Sequence, residues 1–256
     1  ESDYTSGMDA SSPVLVGSGA GAQWTTIKAS GTGVTYMGRK TDGTLWVWGN
    51  GGDGQTGQNS RQSFSSPKQI PGTDWSRNFT CETNAGAIKT DGTLWMWGSN
   101  EFGQCAQNDQ DAAPQYLTYR SSPTQVGTDT NWKYISQGQG QHCTTLATKT
   151  DGTLWFWGRS TTGADGQNGS GWQPSTPGPD GIFRSSPTQI GTGTDWFSAR
   201  CIGTGSVYAS KAYTDEPGRF GDKKGALWAW GNNTTGCLGL SSQNNRSSPA
   251  QLPGQQ

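Results

Sequence analysis

The chain is short of the residues that usually build a core. Only 29% of its residues are hydrophobic, with seven Phe and three Met, while Gly alone numbers forty. Without a period, that composition describes a low-complexity chain too poor in apolar surface to fold. Charge is scarce as well, at 14% of residues with a net value of −1. No Lys/Arg stripe is visible for a phosphate backbone, so nucleic acid is not an expected partner. No apolar run approaches the ~18 residues of a membrane span, and no hydrophobic signal-peptide core is present. Membrane insertion is therefore not expected. The chain starts at Glu1 rather than Met, as expected of a processed or trimmed protein or a segment of a longer one.

Histidine occurs once, as His142, and the five cysteines (Cys81, Cys105, Cys143, Cys201, Cys237) form no CxxC pair. Zinc sites need paired ligands close in sequence, and this chain supplies none. His142 and Cys143 are neighbours, but adjacent strand residues point to opposite faces and do not readily share a proton. Cys81, Cys143 and Cys201 read as small buried side chains. The loops "NGGDGQTG" and "TTGADGQNG" lack the ligand order and closing Glu of an EF-hand. No catalytic residue, metal site or cofactor is assigned, and the protein is not expected to be an enzyme.

What the chain has is tryptophan, thirteen residues of it, each able to bury on the order of 200 Å². The tryptophans come in a phrase. "KTDGTLWVWGN" begins at Lys40 and returns as "KTDGTLWMWGS" from Lys89 and "KTDGTLWFWGR" from Lys149, with an echo, "KKGALWAWGN", from Lys223. A second phrase carries Pro13, Pro67, Pro123, Pro187 and Pro249, as in "SSPTQVG" from Ser121. A lone Trp follows four of these: Trp24, Trp75, Trp132 and Trp196. The resulting units run about 11–64, 65–120, 121–184 and 185–246, with a closing strand 247–254 and a separate segment 1–10.

Asp-Gly between two apolar runs is a strong hairpin signal, because Gly accepts the positive φ a tight turn needs. The first unit thus predicts strands over Trp24–Ala29, Gly33–Lys40, Thr44–Gly49 and Pro67–Ile70, the proline strand lying at an edge for want of an N–H. Alternation places Trp46 and Trp48 on one face and Leu45 and Val47 on the other. Trp95 and Trp97, Trp155 and Trp157, and Trp228 and Trp230 repeat the arrangement. A small sheet apolar on both faces must be sandwiched between copies of itself. The expected fold is all-β, a β-propeller of four-stranded antiparallel blades.

In combination, "W…KTDGTLWxWG…GQ…SSPTQVG" resembles the regulator of chromosome condensation repeat from Ser11 to Gly254. The resemblance implies a β-propeller, commonly of seven blades. This chain departs from it in having four units, in keeping only one histidine, and in carrying a surplus outer strand, Ser12 to Gly17. An unpaired edge recruits partners, so that strand is expected to complete a blade elsewhere by strand addition, in another subunit or upstream in a longer chain.

Candidate contacts lie where the units differ. The loops after the third strand lengthen in the second unit, bringing Tyr116 and Tyr119, and in the third, bringing Trp172 and Phe183; such aromatics suit a protein partner or a sugar ring. The fourth unit lengthens "SKAYTDEPGRFGDKKGALW" instead. Rings of Lys40/Asp42, Lys89/Asp91 and Lys149/Asp151, and of Arg120, Arg184 and Arg246, read as solvated rims. The sequence therefore points to a non-enzymatic structural or interaction module, in an extracellular or virion-surface assembly, that mediates protein contact or adhesion. The alternatives are a lectin-like, glycan-binding propeller and a regulator or inhibitor that holds a protein partner on one propeller face. The missing basic patch speaks against a chromatin-bound or nucleotide-exchange role.

Overall fold

The structure, a computed structural model, describes residues 23–30, 34–80, 83–108, 119–138, 144–160, 162–168, 182–202, 205–211 and 225–253. These residues form sixteen strands and no helix. Blade 1 is β1 (Trp24–Ala29), β2 (Thr35–Lys40), β3 (Leu45–Gly49) and β4 (Phe64–Ile70). Blade 2 is β5 (Trp75–Thr80), β6 (Asn84–Lys89), β7 (Leu94–Ser99) and β8 (Tyr119–Gln125). Blade 3 is β9 (Trp132–Gln137), β10 (Thr145–Lys149), β11 (Leu154–Ser160) and β12 (Ile182–Gln189). Blade 4 is β13 (Trp196–Ile202), β14 (Ser206–Lys211), β15 (Leu227–Gly231) and β16 (Arg246–Gln251). Each is an antiparallel meander in sequence order. The lone-Trp strand is one edge and the Ser-Ser-Pro strand the other, where a residue without an N–H costs no ladder bond. The surplus strand Ser12–Gly17 lies outside the described residues.

The central hairpin turn is one residue longer than the two-residue Asp-Gly loop. Gly43 N–H donates to Lys40 O at 3.1 Å and Lys40 N–H to Thr44 O at 3.0 Å. Only Gly43 takes a positive φ, 78°, so the turn is a three-residue loop ending in a left-handed glycine. A Cβ on Gly43 would stand 2.1 Å from Thr73 O, and on Gly92 and Gly152 1.9 Å from Thr130 O and Thr194 O. These glycines are required by dihedral and by space alike.

The blades stack with a fixed polarity. The aliphatic face of blade 1 (Met37, Leu45, Val47, Ile70) packs on the indole face of blade 2 (Trp75, Trp97, Ala85, Ala87). Leu94, Met96 and Val126 of blade 2 meet Trp132, Ile135 and Trp157 of blade 3. Leu154, Phe156 and Ile190 of blade 3 meet Trp196, Ala199 and Trp230 of blade 4. Each seam is therefore indole against aliphatic, which fills a thin gap with large rigid rings. The innermost packing runs through the first strands, β5 on β9 and β9 on β13, so these strands surround the axis. Blade 4 makes no comparable packing on blade 1 among the described residues.

Burial sorts the paired tryptophans. Trp97, Trp157 and Trp230 are wholly buried, whereas Trp46, Trp95, Trp155 and Trp228, expected in the core with them, are half-buried. The first indole of each pair sits at the rim of the sandwich. Trp48 is also only half-buried, because no blade among the described residues covers its face.

Candidate functional site

The rim phrase is a hydrogen-bonded device. Asp42 Oδ1 accepts from Thr44 N–H at 3.0 Å and from Thr44 Oγ1–H at 2.7 Å, and Thr44 Oγ1 in turn accepts from Trp46 Nε1–H at 2.8 Å. Blades 2 and 3 repeat this through Asp91, Thr93 and Trp95 and through Asp151, Thr153 and Trp155. The Thr hydrogen bonds hold all three Asp carboxyls below the ordinary value of 3.8 by favouring the charged form. In blade 4 the phrase reads Gly-Ala-Leu-Trp, so Ala226 offers no hydroxyl and Trp228 Nε1 is buried without a partner.

The repeated lysines are not free rim charges. Lys40, Lys89, Lys149 and Lys211 each lie over two indoles; Lys149 Nζ is 4.6 Å from the Trp132 ring centre and 4.0 Å from that of Trp155. Lys89, Lys149 and Lys211 also pair with Asp74, Asp129 and Asp195. The fourth lysine of the series is thus Lys211, at the end of β14, and not the Lys223 that starts the sequence echo. Arg184 likewise is committed, to Asp165 at 3.2 Å. Each lysine bridges the first and third strands of its own blade, by a cation–π attraction of about 0.5–2 kcal/mol.

Of the aromatics expected to make contacts, Tyr116 and Trp172 lie outside the described residues. Tyr119 is half-buried under Arg61 of blade 1, 4.2 Å from guanidinium carbon to ring centre. Phe183 stacks on Phe102 of blade 2 at 5.3 Å. The two therefore occupy equivalent inter-blade positions and are not brought together into one site. Cys201 and Cys105 are buried, and Cys237 is exposed; His142, Cys143 and Cys81 are outside the described residues. Cys201 lies on β13, where the matching residue of blade 2 is Thr80, so it is not an equivalent of Cys81.

A site that the sequence reading missed opens on the axis. A cavity of about 600 Å³ is walled by the first strands of all four blades and includes Lys28, Arg39, Arg77 and Arg200, with Tyr134 and Asn78. No Asp or Glu is among its described wall residues. Lys28, Arg77 and Arg200 are exposed, and Arg39 is half-buried with its Nε lacking a partner. Arg77 is held over the Tyr134 ring, 6.0 Å away. In a chain of net charge −1 this is a local concentration of positive charge. It was hidden because the four cations are far apart in sequence; the available signal was a cation on the first strand of three units, in "TTIKA", "SRNFT" and "SARCI".

Two stretches, residues 91–145 and 224–256, match the model of the regulator of chromosome condensation (RCC1) repeat. The matched stretches, about a third of the chain, resemble that repeat. Among solved structures, Prp20p from Saccharomyces cerevisiae, described for its binding to Gsp1p and histones, aligns with a TM-score of 0.71 at 17% identity, over 93% of this chain and 52% of that one. Yeast RCC1 (Prp20) bound to Kap60 aligns with a TM-score of 0.70 at 18% identity, over 93% and 50%. Human WBSCR16 aligns with a TM-score of 0.66 at 20% identity, over 91% and 54%. At these identities the likeness establishes the fold. The chain spans about half the length of these proteins. No curated protein sequence matches it.

Proposed function

We propose that the protein is a non-enzymatic binding module whose axial face holds an acidic surface of a protein partner, in the manner of a regulator or inhibitor. The observation that carries this reading is the concave, carboxylate-free cluster of Lys28, Arg39, Arg77 and Arg200. Low-dielectric walls around charges of one sign focus the field and raise the encounter rate of an oppositely charged partner. The cluster removes the objection from charge that the sequence raised against a regulator. Likeness to Prp20p, a binder of Gsp1p and histones, supports a protein partner over a glycan, an adhesive contact or a virion joint.

The test is titration of a fluorescein-labelled polyglutamate peptide into the protein and into an Arg77→Glu/Arg200→Glu variant. Both residues are exposed, so the variant keeps its fold. Reversal is expected to weaken binding by about tenfold or more, with the remaining affinity falling as salt rises. Equal affinity of the two proteins would overturn the reading.

A further inference from the structure

Three seams join the four blades, and among the described residues two blade faces have no partner. Blade 1 presents an indole face and blade 4 an aliphatic face, the two halves of the seam already built three times. We propose that these faces bind each other between copies of the chain, the blade 4 face of one molecule receiving the blade 1 face of a second. This goes beyond the axial site and does not depend on it.

Position by position, the end faces are seam faces left uncovered. Ile27 faces Gly38 across the β1–β2 ladder as Asn78 faces Ala87, Ile135 faces Ala147 and Ala199 faces Ala209. The three interior residues are 9%, 7% and 2% exposed; Ile27 is 57% exposed. Trp24 is half-buried where Trp75, Trp132 and Trp196 are buried. At the other end, Leu227 and Leu252 are half-buried, although Leu45, Leu94 and Leu154 and also Ile70, Val126 and Ile190 are almost wholly buried. Ile202, opposite in parity to the buried Cys201, is 55% exposed. The described large hydrophobics that stand most open, Ile27, Val34 and Ile202, all belong to the end blades.

The polar half of the seam is equally ready. Trp97, Trp157 and Trp230 donate their Nε1–H to Gln55 O, Gln104 O and Ala164 O of the preceding blade at 2.9–3.0 Å. The corresponding donor of blade 1, Trp48, has no such acceptor among the described residues, and the corresponding residue of blade 4 is the exposed Cys237, whose O accepts from Tyr208 Oη–H and keeps a second lone pair for another donor. Asn59, Asn108 and Asn168, all left-handed, donate N–H to Ser121 O, Ser185 O and Ser247 O of the next blade. Ser241 holds the same conformation, φ 52°, and donates to no further blade; Ser65 of blade 1 is the matching acceptor residue. Gly54, Gly103 and Gly163 press against the next blade's Ser-Ser-Pro strand, whereas Gly236 meets only the side chain of Gln243. Each end face thus carries one donor and one acceptor, and the two faces differ from each other and complement each other. The contact is heterologous, head to tail.

Sedimentation of the whole chain at micromolar concentrations is expected to give at least twice the 27.2 kDa chain mass, with tryptophan emission shifting to the blue as mass rises. Ile27→Arg and Ile202→Arg alter exposed side chains and so preserve the fold. Each variant alone is expected to sediment at 27.2 kDa, and an equimolar mixture to form a one-to-one pair, since each retains the face the other has lost. A wild-type chain that stays monomeric overturns the proposal, as does association abolished by Ile27→Arg but not by Ile202→Arg, which would mean like faces pairing. Failure of the two variants to pair when mixed also overturns it.

Discussion

Blade 3 and blade 1 carry nearly the same words, "KTDGTLWFWG" and "KTDGTLWVWG", yet they stand in different physical situations. Trp157 is sealed between blades and its indole N–H is hydrogen-bonded to blade 2; Trp48 has the same strand position but touches only Tyr36 and Trp24 of its own blade, with no second blade over it and no acceptor among the described residues. The phrase therefore specifies one blade and half of each adjoining seam, and a neighbour supplies the rest. Stability in such an array is a sum of blade terms and seam terms. The seam term is what separates the two tryptophans.

The largest effect should come from that difference. Trp157→Ala opens a cavity in a closed seam and is expected to cost about 3–5 kcal/mol in urea unfolding; Trp48→Ala, in a dilute monomeric sample, should cost less than half as much. Equal costs would break the comparison. Next in size is the turn that every seam leans on. Gly152→Ala meets both a positive φ and Thr194 O at 1.9 Å, whereas Gly191→Ala meets the φ alone, with nothing within 4 Å. The dihedral is worth about 1–3 kcal/mol in either case, so thermal unfolding should show Gly152→Ala as the more damaging.

Smaller effects separate the hydroxyl-bearing turns from that of blade 4. Thr153→Val strips Trp155 Nε1 and Asp151 of their shared partner and should lower stability by about 1–3 kcal/mol. Ala226→Thr, placed beside the unpartnered Trp228 Nε1, should raise it by about 0.5–1.5 kcal/mol. Calorimetry of the two variants checks both signs. The smallest effect is acid sensitivity. The depressed Asp42, Asp91 and Asp151 contribute stability that is present in full above their ordinary value of 3.8 and lost as pH falls below it through the lowered folded values. Asp151→Asn should make the melting temperature less steep against pH in that range.

The blade was legible because its signals are local: Asp-Gly, strand parity and the edge proline all act within one unit. Lys40 to Gly49 read correctly as a hairpin for that reason, and the neighbouring-sheet argument followed from Leu45 and Trp46 both being apolar. The axial cluster was not legible. Lys28, Arg77 and Arg200 are separated by 49 and 123 residues, and only stacking brings them to one wall. The fourth lysine of the series was not legible for a related reason: "KKGALW" continues the words, but the ladder gives the position to Lys211, opposite Trp196. Tyr119 and Phe183 looked like free recognition residues because the residues that cover them, Arg61 and Phe102, belong to another blade.

The central claim is that each closed seam hides an indole N–H bonded to the preceding blade. Hydrogen exchange at the tryptophan Nε1 positions, followed by NMR on a dilute nitrogen-15-labelled sample, tests it most directly. Trp97, Trp157 and Trp230 should exchange slowly and Trp48 fast. Fast exchange at the three interior indoles, or protection of Trp48 equal to theirs in the monomer, would contradict the account.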